Sequence, residues 1–278
     1  MSKHCAKFVG HGAFRLFYTT EGIHAVSDDD GNRNGIPDRV DDILIQLIAA
    51  DWWFENVLKL TPPLQQARYA HAAGIELHIM NLDTGSGLAF DEPTKPSWYE
   101  GLIANSPTLK IKLSARVDAR SNPTPAHELF HLYQYGYTSF KTQWFTEGMA
   151  RWIEGPFSKR SMFISRSAPM DCRALSGMSY NASVWFEALS VDYGKRIDFE
   201  KQPMKLDGFS DFRYVDGSPV FASRVDGRFT AVKTWLEKAR DLTVVEGERL
   251  GVRHGLWPEA LQRSNQFDEV LCNTLTKL

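Results

Sequence analysis

Ala126-His127-Glu128-Leu129-Phe130-His131, the stretch AHELFH, decides how this chain is read. It follows Ser121-Asn122-Pro123, and the pattern AHELFHLYQYG predicts a helix that stops at Gly136. On a helix, His127 and His131 lie four residues apart and point the same way, one turn above the other. That spacing lets two imidazoles bind one tetrahedral zinc ion from a single face. Glu128 lies about 100° further around the helix, beside the ion's open position, where it can take a proton from the attacking water. Chance alone gives an HExxH in roughly one chain of this size in a hundred, so the motif needs a partner.

Zinc requires a third protein ligand, and WFTEGMARWIEG offers Glu147, sixteen residues past His131 on the next predicted helix, about Thr142 to Glu154. A short turn between the helices can bring its carboxylate beneath the two imidazoles. Glu154, seven residues on, returns to almost the same helical face. A carboxylate there can hold the free N–H of a ligating histidine and so fix its tautomer and ring angle. The bland alternative is that both glutamates are solvated surface charges.

HELFH followed by W-x-x-E-G-x-A, Trp144 to Ala150, resembles the gluzincin zinc metallopeptidases, among them the relatives of aminopeptidase N. The resemblance implies Glu147 as third zinc ligand and matches Glu154 to the acidic residue that follows it. It continues through Ser179-Tyr180-Asn181 and implies Tyr180 as donor to the transition-state oxyanion, a positioned hydrogen bond of the kind acyl transfer needs. The gap from His131 to Glu147 is shorter than the aminopeptidase pattern, and Ala182 and Ser183 replace its Lys-Gly. No segment corresponds to the GAMEN-type recognition of a free N-terminus, so aminopeptidase specificity does not carry over. The chain is more closely similar to a set of exported bacterial metalloproteases with an NGxPD loop, HExxH-x-x-Q-Y and W-F-x-E-G, over roughly residues 13 to 195.

The NGxPD loop lies in DGNRNGIPDRVD, Asp30 to Asp41, which follows an EF-hand-like calcium template. Asp30, Asn32, Asn34, Asp38 and Asp41 supply side-chain oxygens, Ile36 a carbonyl, and Gly35 the sharp turn. The alternative is a polar turn whose aspartates cap the next helix. Such sites suit millimolar extracellular calcium, which points to a secreted or periplasmic protein. The N-terminus MSKHCAKFVGHGAF lacks the apolar core of a signal peptide. The expectation is either a protein that stays in the cytoplasm or a mature or recloned form of an exported one.

Composition narrows the partners. The net charge of -2 gives no argument for nucleic acid or an anionic membrane, and no apolar run is long enough to span a bilayer. Cys5, Cys172 and Cys272 lack metal-site spacing, leaving one disulfide plus a thiol, or three buried thiols. The segments FRLFYTTEGIHAV, GIELHIMNL and TLKIKLS read as strands. Helices are expected in RVDDILIQLIAADWWFENVLKL, ended by Pro62 and Pro63, in SYNASVWFEALSVDYG, and in FTAVKTWLEKAR and PEALQRSNQFDEVLCNTL.

Strands first and helices after predict an α+β fold. A zincin-like core would carry a mixed sheet, the HExxH helix and a following Glu-bearing helix, with a mainly helical C-terminal part. Residues 1–60 would carry the N-terminal strand, acidic loop and helix, 61–200 the catalytic core and 201–278 the helical extension, in one continuous unit.

TLKIKLS lies where gluzincin-type peptidases place the edge strand that pairs with an extended substrate; the alternative is a core strand with Lys110 and Lys112 facing solvent. Tyr133, Tyr135 and Tyr137 read as packing or rim residues, and His254 as a bystander. The expectation is a zinc peptidase with Glu128 as general base and acid, acting on a peptide or protein. A non-catalytic, calcium-organised binding module and a zinc hydrolase of non-peptide substrates are the competing readings.

Overall fold

Short segments rich in aromatic and branched residues build a five-stranded mixed sheet. In chain order the strands are β1 (Lys7–His11), β2 (Phe14–Tyr18), β3 (Ile75–Met80), β4 (Gly87–Thr94) and β5 (Thr108–Ser114). Their spatial order is β1-β2-β3-β5-β4, with β2, β3 and β5 parallel and the two outer strands antiparallel to their neighbours. The structure, a computed structural model, describes residues 7–97, 106–158, 171–196, 211–221, 227–253 and 255–277. Cys5 and His254 lie outside them.

The helices are α1 (Asp38–Trp52), α2 (Thr124–Tyr137), α3 (Gln143–Ile153), α4 (Cys172–Leu175), α5 (Ser183–Arg196), α6 (Ala231–Leu250), α7 (Glu259–Gln262) and α8 (Asp268–Thr276). The α+β class is as expected. One hydrophobic core runs from Phe14 on β2 through Trp53, Phe130 and Trp152 to Trp235 on α6 and Leu275 on α8. The N-terminal, central and C-terminal parts therefore share their packing. Among the described residues no helix is long and apolar enough to cross a membrane.

Several elements differ from the sequence expectation, each for a packing reason. Thr108–Ser114 is an interior strand, hydrogen-bonded to β3 on one side and β4 on the other. The edge beside it is β4, in the Gly-, Pro- and Ser-bearing stretch between the two expected strands GIELHIMNL and TLKIKLS, which by composition reads as a loop. Pro93 fits there because an edge strand can spare a backbone donor. The lysines of β5 are covered from the edge: Lys110 reaches the Lys95 carbonyl, and Lys112 lies over the Phe90 ring.

Helix α1 stops at Trp52 and widens into a π turn, Trp53–Val57, well before the prolines. The widened turn buries two consecutive rings in different directions, Trp53 against Phe157 and Phe229, and Phe54 against Phe130 and Tyr133. Helix α2 passes through Gly136 and ends one residue later, where Thr138 turns extended and its hydroxyl bonds that of Thr243. The last expected helix is broken at Ser264 into α7 and α8. Cys172 and Cys272 form a disulfide that ties α4 to α8.

Candidate metal centre

Helix α2 lies beneath β4, and α3 folds back against it after a short connection. The turn is fixed by Gln134, whose amide donates to the carbonyls of Phe145 and Thr146 at the start of α3. With its NH2 committed there, the Gln134 carbonyl oxygen faces Nδ1 of His131 at 2.9 Å. An acceptor at that position puts the His131 proton on Nδ1 and leaves Nε2 as a lone pair. Glu154 does the same for His127, its Oε2 lying 2.7 Å from Nδ1.

The two Nε2 atoms consequently face each other at 3.1 Å. Oε2 of Glu147 lies 3.2 Å from Nε2 of His127 and 3.5 Å from Nε2 of His131. Ligands at about 2.0–2.1 Å from a tetrahedral ion are separated by about 3.3 Å, so these three edges have the dimensions of one face of such a shell. Among the described residues this is the one group of three or more His, Cys, Asp or Glu ligand atoms all within 4.8 Å of one another.

The electrostatics favour a cation between these atoms. Both histidines are buried. Burial disfavours a charged His127 imidazole, but the Glu147 and Glu154 carboxylates outweigh it and push its pKa up to about 10. Burial likewise opposes charge on Glu147, yet the two imidazoles hold its carboxyl far below the usual range. A proton on His127 partly satisfies this demand for positive charge, and a divalent ion in the same place would release it.

Glu128 is buried, and burial is the main cause that raises its carboxyl above the ordinary range. The backbone N–H of Ala89 on β4 donates to it. Gly87 crosses directly above, where a Cβ would come within 2.5 Å of Glu128 Cγ. The edge strand therefore rests on the general-base candidate.

Tyr180 reaches the site because α3 has no side chain at Gly148. A Cβ there would lie 2.6 Å from the Ala182 Cβ, so glycine lets the Ser179–Ala182 segment press onto the helix. The Tyr180 ring lies 5.7 Å from that of His127, and its hydroxyl bonds Glu147. Burial and the Glu147 charge raise the phenol pKa, keeping it a donor. The ring is about half exposed, at 54%.

All the residues expected at the zinc site, His127, Glu128, His131, Glu147, Glu154 and Tyr180, are brought together. The sequence reading missed Gln134 as the partner of His131 and the contribution of β4; Tyr135, expected to pack or line the rim, stacks its ring on His131 at 5.6 Å. The signal for Gln134 was its place three residues after His131, on the same helical face.

The acidic loop folds around its own side chains, apart from this group. Asp30 accepts the N–H groups of Asn34 and Gly35, and Asp38 that of Gly31. The Asn32 and Asn34 amides both donate to Oδ2 of Asp41, at 3.1 and 2.7 Å, and the Asn34 carbonyl accepts from Ile36 N–H. Gly35 has φ 86°, as the turn position of the template needs.

Beside His127 and Glu128 a cavity of about 440 Å³ opens between the start of β4, the start of α2 and Arg151. Comparison with protein-family models, curated proteins and solved structures finds no match for this chain.

Proposed function

We propose that the chain is a zinc-dependent peptidase of the HExxH…Glu type. The observation that carries this reading is the convergence of two imidazole nitrogens and one carboxylate oxygen, with both Nδ1 atoms already committed to Glu154 and Gln134. Zinc held by His127, His131 and Glu147 would polarise the scissile carbonyl and lower the pKa of water from about 15.7 to about 7.

The protein groups have separate tasks. Glu128, with its raised proton affinity and its hydrogen bond from Ala89, takes a proton from the attacking water and returns it to the leaving amine. The Tyr180 hydroxyl donates to the oxyanion as the carbonyl becomes tetrahedral. Glu154 and Gln134 keep the imidazoles in register. An extended peptide adding to the edge of β4, which no other described strand pairs, would pass directly over Glu128.

A calcium ion in the Asp30–Asp41 loop would act structurally, fixing the entry to α1. The Cys172–Cys272 disulfide supports an oxidising, extracytoplasmic setting.

The decisive experiment combines metal content with digestion of an unbiased peptide library. About one zinc per chain and turnover abolished by chelation are expected. Glu128→Gln should retain zinc while losing activity. A protein that binds no zinc, or a Glu128→Gln variant as active as the parent, would overturn the assignment. Zinc without peptide cleavage would favour the binding-module or non-peptide hydrolase alternatives.

A further inference from the structure

The cavity beside Glu128 has a wall chemistry unlike that of an apolar side-chain pocket. Apart from the site residues His127, Glu128, Glu154 and Tyr180, its described lining is Ser86, Ser121, Asn122, Thr124 and Ser158 with neighbouring glycines and Pro123, and Arg151 is the one Lys or Arg side chain in it. Hydrophobic pockets gain affinity from apolar surface removed from water. Beyond the half-exposed Tyr180 ring, the described wall offers no large aromatic or aliphatic side chain for a leucine or phenylalanine to bury against.

Arg151 stands one helical turn beyond Glu147 on α3 and is 40% exposed. One of its terminal nitrogens bonds Oε1 of Glu154, whose Oε2 is taken by His127. Both Glu154 oxygens are thus committed. A guanidinium carries five N–H donors in a planar fork, so one partner leaves donors for another. The nearby carboxylates of Glu147 and Glu128 face the imidazole pair, whose bound cation would offset their charge.

We propose that Arg151 makes this cavity a specificity pocket for an acidic side chain, Asp or Glu, on the C-terminal side of the scissile bond. The inference rests on the peptidase reading. Glu128 returns its proton to the leaving amine, so the residue carrying that amine lies over Glu128. Glu128 in turn lines the same cavity as Arg151. The carboxylate would take the free donors of the guanidinium, and the hydroxyl and amide walls would complete its hydrogen bonds.

The test uses zinc-loaded protein and peptides differing only at that position: Glu, Asp, Gln, Leu or Lys. Glu should exceed Gln by about tenfold or more in kcat/KM, mainly through KM. Arg151→Ala should collapse the Glu-to-Gln ratio, Arg151→Lys restore part of it, and Arg151→Glu shift preference toward Lys. The ratio is the readout because loss of Arg151 also disturbs Glu154, which changes rates for every peptide alike. Calorimetric binding of the Glu and Gln peptides to zinc-loaded Glu128→Gln protein gives the same ratio without turnover. Absence of zinc or of any cleavage overturns the peptidase reading and this inference with it. Cleavage that prefers Leu, or a Glu-to-Gln ratio unchanged in Arg151→Ala, overturns the inference alone.

Discussion

Gly87 of the edge strand lies so close over Glu128 that a Cβ at that position would come within 2.6 Å of the Glu128 Oε1. Thr124 closes the other side, its Cγ2 lying 2.7 Å from the same point. A methyl added at Gly87 displaces the Glu128 carboxylate. Gly87→Ala should therefore lower kcat by about a hundredfold, the loss associated with a misplacement of roughly 1 Å. Zinc content should not change. Full activity in this variant would show that the strand does not position the base.

Glu154 sits beyond the candidate metal ligands and reaches His127 through a 2.7 Å hydrogen bond. Glu154→Gln replaces a charged acceptor by a neutral one of the same shape. Zinc affinity should fall by about 10- to 100-fold, the usual cost of losing such a partner. Competition with a chromogenic chelator measures it directly. An unchanged affinity would return Glu154 to a purely structural role with Arg151.

The Cys172–Cys272 bridge joins residues 100 apart in sequence and fastens the segment leading to Tyr180 onto the last helix. Ser176 adds a hydrogen bond to Asp268 from the same segment. Replacing both cysteines by serine should cost about 2–4 kcal/mol of stability, the typical contribution of a disulfide. Denaturant midpoints of parent and variant, with and without a dithiol reductant, provide the measurement. Reductant should shift the parent and leave the variant where it was.

The acidic loop already turns at Gly35 and gathers two asparagine amides on Asp41. Calcium at ten times its dissociation constant should stabilise the fold by about 1.4 kcal/mol, seen as a raised melting temperature. Asp30→Asn should weaken that response. If calcium leaves the midpoint where magnesium does, the loop is a hydrogen-bonded turn and no more.

The amino-acid sequence by itself determined the candidate metal-binding face, because four-residue spacing on a helix places His127 and His131 together whatever surrounds them. It also placed Glu147 and Glu154 on the helix that follows, one connection away, whereas Tyr180 came only from the family resemblance. The core strands Ile75–Met80 and Thr108–Ser114 and the major helices were legible from apolar periodicity.

Only the tertiary structure decided which strand forms the edge. Gly87–Thr94 has weak strand propensity and contains a proline, and it becomes a strand because β5 offers unpaired backbone groups. Gln134 found its role in the same way, through a carbonyl oxygen aimed by bonds to residues eleven and twelve positions ahead. Periodicity encodes which face of an element is buried; what that face meets is set by packing between segments distant in sequence.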